Sequence, residues 1–123
     1  LNLDYQNLAY LNSNTFFGLE SLKVLLLRYN KLKKIINNTF FGLKNLNILE
    51  LTWNELTFIE PDAFAGLENL TVLYLGINML ESLPINLFKS LTKIKEFNIA
   101  RNKIKFIQIS NIIINSIKLM QLN

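Results

Sequence analysis

The stretch LNILELTWNELTFIEPDAFAGLEN, residues 46–69, decides the architecture. Its leucines at 46, 49 and 51 are followed by Asn54, Leu56, Ile59, Phe64 and Leu67. Moving back 24 residues gives Leu22, Leu25, Leu27, Asn30, Leu32, Ile35, Phe40 and Leu43. Moving forward 24 gives Leu70, Leu73, Leu75, Asn78, Leu80, Leu83, Phe88 and Leu91. A fourth copy opens with Ile94, Phe97, Ile99, Asn102, Ile104 and Ile107. The shared pattern is L-x-x-L-x-L-x-x-N-x-L-x-x-I/L, then four residues, then F-x-G-L. Self-similarity at a fixed period of this size marks a chain of stacked units that bury a continuous core between them.

The ends carry partial copies. Leu1, Leu3, Gln6, Leu8, Leu11, Phe16 and Leu19 lack only the opening residues, and Gln6 stands where the others have Asn. Ile117, Met120 and Leu122 start another copy 23 residues after Ile94, so the fourth is read as one residue short, with Ile112 and Ile114 replacing its F-x-G-L signature. The expected division is one segment over 1–123 without caps: a partial repeat 1–21, repeats 22–45, 46–69, 70–93 and 94–116, and a partial repeat 117–123. Terminal repeats normally need polar caps. The chain starts inside one coil and stops inside another, so in isolation it is expected to dissolve poorly.

Composition narrows the functions. Half of the 123 residues are hydrophobic and 18% are charged, which argues for a large core and against disorder. No apolar run approaches the roughly 20 residues of a membrane-spanning helix, and membrane contact by this segment is not expected. There is no Cys and no His. That removes Cys nucleophiles, zinc sites with nitrogen or sulfur ligands, Ser-His-Asp triads and disulfides. The net charge of +4 lacks the dense basic stripe of a nucleic-acid binder. Gly18, Gly42 and Gly66 follow the Phe column at a turn, in neither of the glycine spacings that cradle phosphates. Glu50 and Glu96 are two repeats apart, about 10 Å by strand spacing, and do not make an acid–base pair. Neither a cofactor nor a metal is expected, and the chain is read as non-catalytic.

The sequence resembles the leucine-rich repeat family along its whole length. The 24-residue period with F-x-G-L is similar to the subtype common in extracellular animal proteins, including Toll-like receptor ectodomains. The resemblance implies an α/β-type solenoid: a right-handed coil with a parallel concave β-sheet of short strands and an irregular or short-helical convex side. The physics agrees. Alternation in L-x-L suits a short strand, and strands stacked one per repeat lie about 4.8 Å apart. The column Asn30, Asn54, Asn78 and Asn102 lies in an apolar series, where an amide is tolerated only if hydrogen-bonded. It is read as a ladder that satisfies the backbone of the turning coil. Phe16, Phe40, Phe64 and Phe88 are read as core packing at the back.

What remains is the variable positions of each strand, which face the concave side. One column gives Tyr5, Tyr29, Trp53, Ile77 and Arg101, beside Arg28. Tyr, Trp and Arg are enriched at interface hot spots. The expected ligand-binding residues on the concave face are therefore Tyr5, Arg28, Tyr29, Glu50, Trp53, Tyr74 and Arg101. Val24, Leu26, Ile48 and Val72 form an apolar patch on the same face. The sequons Asn37-Asn38-Thr39 and Asn69-Leu70-Thr71 make Asn37 and Asn69 candidate glycosylation sites off that face. The expected function is recognition of a protein ligand, in a secreted or cell-surface ectodomain. Spacer repeats within a larger extracellular protein and an intracellular scaffold stay open as alternatives.

Overall fold

Alternation along each L-x-L segment sets the strands. A computed structural model of the chain describes residues 1–105 and the backbone of 118–120. Its strands are β1 (Val24–Leu26), β2 (Lys34–Ile35), β3 (Ile48–Glu50), β4 (Phe58–Ile59), β5 (Val72–Tyr74), β6 (Glu96–Asn98) and β7 (Lys118–Met120). The principal sheet is parallel, in the order β1-β3-β5-β6-β7. Val24 pairs with Ile48, Ile48 with Val72 and Val72 with Glu96, each step one 24-residue repeat. An isolated bridge from Asn2 to Leu26 carries the sheet into the first coil. The middle residues Leu25, Leu49, Leu73 and Phe97 are buried, and their neighbours along each strand are half-buried on the other face. Each fully buried leucine contributes about 1.5–3 kcal/mol.

A second parallel sheet, β2 with β4, was not expected. It pairs Lys34 with Phe58 and Ile35 with Ile59. Ile35 and Ile59 point into the core while Lys34 and Phe58 face solvent. Two residues per strand leave too short an alternation for a periodicity argument to find.

At the last strand the register departs from expectation. Spacing of 23 residues would set Met120 opposite Phe97. The sheet instead pairs Glu96 with Lys118, Phe97 with Leu119 and Asn98 with Met120, a step of 22. Parallel pairing follows the backbone, and here it sets Leu119 rather than Met120 opposite Phe97. Ile107, Ile112, Ile114, Ile117, Gln121 and Leu122 lie outside the described residues.

The Asn column is fully engaged, buried at Asn30, Asn54 and Asn78 and half-buried at Asn102. Asn54 Nδ2 donates to the carbonyls of Leu27 (2.9 Å) and Leu51 (3.1 Å), and its Oδ1 accepts from the Leu32 N–H (3.2 Å). Asn78 repeats this one coil on, with Leu51, Leu75 and Leu56. Asn102 does so with Leu75, Ile99 and Leu80. Asn30 serves Gln6 and Leu8 through Oδ1, and Leu3 and Leu27 through Nδ2. Each amide thus joins its own coil to the preceding one. Among the described residues, no buried side-chain nitrogen or oxygen lacks a partner.

At the back, Phe16, Phe40 and Phe64 stack with centroids 5.9 and 5.8 Å apart. Phe88 was expected to continue this column and does not. It is half-buried and meets Phe97 edge-on at 5.0 Å. The reason lies two residues on. Gly18, Gly42 and Gly66 turn with φ of +93°, +97° and +91°, whereas Ser90 takes φ −88° and closes a 3₁₀ turn over Leu87–Lys89. Leu87 fills the core there. At Gly42 an added Cβ would lie 3.2 Å from the Phe17 ring, while Gly18 has open space around it.

Two outcomes test this account by chemical denaturation of the full-length protein. Asn54→Leu strands backbone groups in two coils and should cost about 1–3 kcal/mol per group, against under about 0.5 kcal/mol for Glu55→Ala. Gly18→Ala should show only the left-handed backbone cost of roughly 1–2 kcal/mol, and Gly42→Ala more, because the Phe17 ring must also move.

Candidate functional site

The face opposite the core carries the half-buried side chains of the principal sheet. Several of its polar groups fold back on their own strands. Asn2 Oδ1 accepts from the Asp4 N–H (2.9 Å) and Asn98 Oδ1 from the Ala100 N–H (2.8 Å). Glu50 accepts from the Thr52 N–H (3.0 Å) and from the Thr52 hydroxyl. Val24, Ile48 and Val72 run side by side along the sheet.

Arg28 is paired with Asp4 of the preceding coil. The guanidinium donates through Nε (3.0 Å) and Nη2 (2.7 Å) to Asp4 Oδ2, and the Arg28 N–H donates to Oδ1 (2.7 Å). This hydrogen-bonded pairing pushes the Arg28 pKa further up. Glu96 accepts the Tyr74 hydroxyl at 2.7 Å. That bond, then burial, then the charges of Glu96 and Glu50 push the Tyr74 phenol up to about 12.

The column Tyr5, Tyr29, Trp53, Ile77 and Arg101 lies in the turn that leaves the sheet. All five have φ between +51° and +59°. Large residues pay for this conformation, a β-branched one most of all. Pairing across repeats holds the first four in it. The N–H of Tyr5 donates to Arg28, that of Tyr29 to Thr52, that of Trp53 to Gly76 and that of Ile77 to Ala100, each to a carbonyl of the next coil. The turn aims the side chains along the rim of the sheet. There Tyr5 and Tyr29 stack with centroids 4.4 Å apart and planes within 5°, and Tyr29 and Trp53 at 5.5 Å and 16°. All three stay exposed.

Of the expected ligand-binding residues, the fold unites Tyr5, Tyr29 and Trp53 in one ladder, with Arg28 beside it. Glu50 and Tyr74 lie on the sheet itself, in register across β3 and β5. Arg101 occupies the same turn as the ladder but is separated from Trp53 by Ile77. A groove of about 550 Å³ runs beside the ladder, lined also by Asn7, Lys31, Glu55, Asn30 and Asn54. Asn7, Lys31 and Glu55 were not anticipated. They share one position, the residue after the Asn column, and that spacing would have found them. Of the candidate glycosylation sites, Asn37 follows β2 on the far side of the core and Asn69 precedes β5.

The leucine rich repeat family model matches residues 1–56 and 32–80. The chain belongs to the leucine-rich repeat family. Among solved structures, TLR13 in complex with ssRNA13 is similar, at 33% identity and a TM-score of 0.78 over 80% of this chain. The leucine-rich repeat domain of APL1B is similar in fold, at 22% identity and a TM-score of 0.86 over 95% of this chain. The chain spans 14% and 35% of those two chains. No curated protein matches. Leucine-rich repeats are, as a class, binding modules that present an extended concave surface.

Within these repeats the Tyr74–Glu96 contact is open to titration. The raised phenol pKa means that the folded state holds this proton more tightly than the unfolded chain. The stability it brings is complete below pH 10.0 and is lost as pH rises through about 12. Ultraviolet titration should therefore show Tyr74 ionising after an ordinary phenol, and Glu96→Gln should move it back toward 10.0.

Proposed function

We propose that this chain is part of a receptor-like extracellular ectodomain that recognises a protein ligand along its concave sheet and aromatic rim. One observation carries the reading: the exposed Tyr5–Tyr29–Trp53 ladder, held rigid by stacking and by its backbone turns, beside a groove with Lys31 and Glu55 on its wall. Rigid aromatics lose little conformational entropy on binding and carry much of the energy of protein interfaces. The adjoining strip of Val24, Ile48 and Val72 supplies apolar area.

TLR13, the solved relative, holds a single-stranded RNA. Two features of this chain favour a protein instead. Single-stranded nucleic acid is gripped by aromatic faces and free cations. Here the rings already spend faces on one another, and the Arg28 cation is clasped by Asp4. Non-catalytic action fits the same surface, because Glu50 is engaged with the Thr52 hydroxyl of its own segment and Glu96 with the Tyr74 hydroxyl of the adjacent strand.

The test uses the full-length protein and a partner isolated with it by pull-down. Trp53→Ala should weaken binding by about 2 kcal/mol, close to 30-fold. It should destabilise the fold less than Phe64→Ala, a core deletion of roughly 3–5 kcal/mol. Lys33→Ala and Lys34→Ala should leave affinity unchanged. Full-strength binding by the Trp53 variant, with losses only from back-face substitutions, would make these repeats a spacer for a site elsewhere.

A further inference from the structure

The two sequons, Asn37-Asn38-Thr39 and Asn69-Leu70-Thr71, are equivalent as letters and differ in what their amides do. Asn69 is used on both sides. Its Nδ2 donates to the Lys44 carbonyl at 2.7 Å, and its Oδ1 accepts from Lys93 Nζ at 2.6 Å. Asn45, one repeat earlier, makes the same bond to the Glu20 carbonyl at 2.8 Å. Asn45 and Asn69 are thus rungs of a second amide ladder, at the entry to the principal sheet. The sequon threonines do not separate the two sites: the Thr71 hydroxyl donates to the Asn47 carbonyl at 3.1 Å and the Thr39 hydroxyl to the Ile36 carbonyl at 2.7 Å.

Asn37 leaves its nitrogen unused. Its Oδ1 accepts from the Asp62 N–H at 2.8 Å, and its own N–H donates to Glu60 Oε2 at 2.6 Å. Its Nδ2 has no partner among the described residues. No buried side-chain nitrogen among those residues is unpartnered, so the Asn37 Nδ2 reaches solvent. The residue follows β2, across the core from the principal sheet.

We propose that Asn37 carries an N-linked oligosaccharide and that Asn69 does not. The proposal rests on the extracellular reading above. In the transfer, Asn37 Nδ2 bonds to the anomeric carbon of an oligosaccharide activated as a lipid pyrophosphate. The bond from that carbon to the pyrophosphate oxygen breaks, the lipid pyrophosphate leaves with the electron pair, and one amide proton passes to a base of the transferase. Transfer precedes folding, so the fold selects among the products. A sugar on Asn37 projects into water while its Oδ1 keeps the Asp62 N–H. A sugar on Asn69 leaves that nitrogen a single hydrogen and crowds the Lys44 carbonyl and the Lys93 ammonium that its amide already holds.

The experiment takes the natural full-length protein from eukaryotic cells and removes N-glycans enzymatically in heavy-oxygen water, which marks each former glycan site as labelled Asp. Peptide mass spectrometry should find label at residue 37 and none at 69. Asn37→Asp, which keeps the acceptor for Asp62, should lose one glycan of mass and leave the melting temperature unchanged. Asn69→Asp, which loses the donor to Lys44, should lower it. Label at 69 in folded protein of unchanged melting temperature would overturn the proposal. So would unmodified Asn37 in protein recovered from the cell surface or medium, and that outcome leaves the extracellular reading standing. Native protein found only in the cytosol would remove both.

Discussion

A chain that turns back on itself every two dozen residues, with one short 3₁₀ turn and no hairpin among the described residues, exposes backbone donors and acceptors that nothing local can satisfy. The Asn column meets this demand. An Asn amide has donors and an acceptor on one short, stiff side chain. Here it spans the gap between one coil's carbonyls and the preceding coil's N–H groups. Leaving such groups unmade inside the core costs more than a typical hydrogen bond contributes. The leucines supply most of the burial, but the amides decide where each coil lies against the next.

The same constraint shapes the candidate binding rim. The residue before each Asn, and Tyr5 before Gln6, takes a left-handed turn as the chain leaves the sheet. In three successive coils that residue is aromatic, so a backbone requirement sets three rings in line. Stacking at 4.4 and 5.5 Å follows from the spacing of the coils. The rim is therefore placed by the core's hydrogen bonding, and its geometry depends little on the rim residues themselves.

Much of this was legible beforehand, for identifiable reasons. Leu25, Leu49 and Leu73 are readable because burial imposes a strict period on apolar letters, and Asn54 because a polar letter inside that period needs an explanation. Tyr29 and Trp53 were found as a column, but their left-handed turn was not, since neither is a residue that signals it. The Asp4–Arg28 clasp was not anticipated although the two stand one repeat apart in the same column, because a single pair of opposite charges makes no period along the chain. Phe88 was assigned by its letter, and the absent glycine two residues later overruled it. Lys34 and Phe58 form strands too short for any period to register.

That absent glycine has a mechanical meaning. In a solenoid, stability is close to a sum of terms between neighbouring coils. From Phe16 to Phe64 each joint includes a pair of stacked rings at the back. Between Phe64 and the coil that carries Ser90 that pair is missing, because Phe88 has turned to Phe97. The joint is held by the sheet, the amide column and, at the back, the aliphatic packing of Leu87 and Leu91 in place of a ring pair. The stacked rings of the back thus end at Phe64, while the amide column runs on through Asn102.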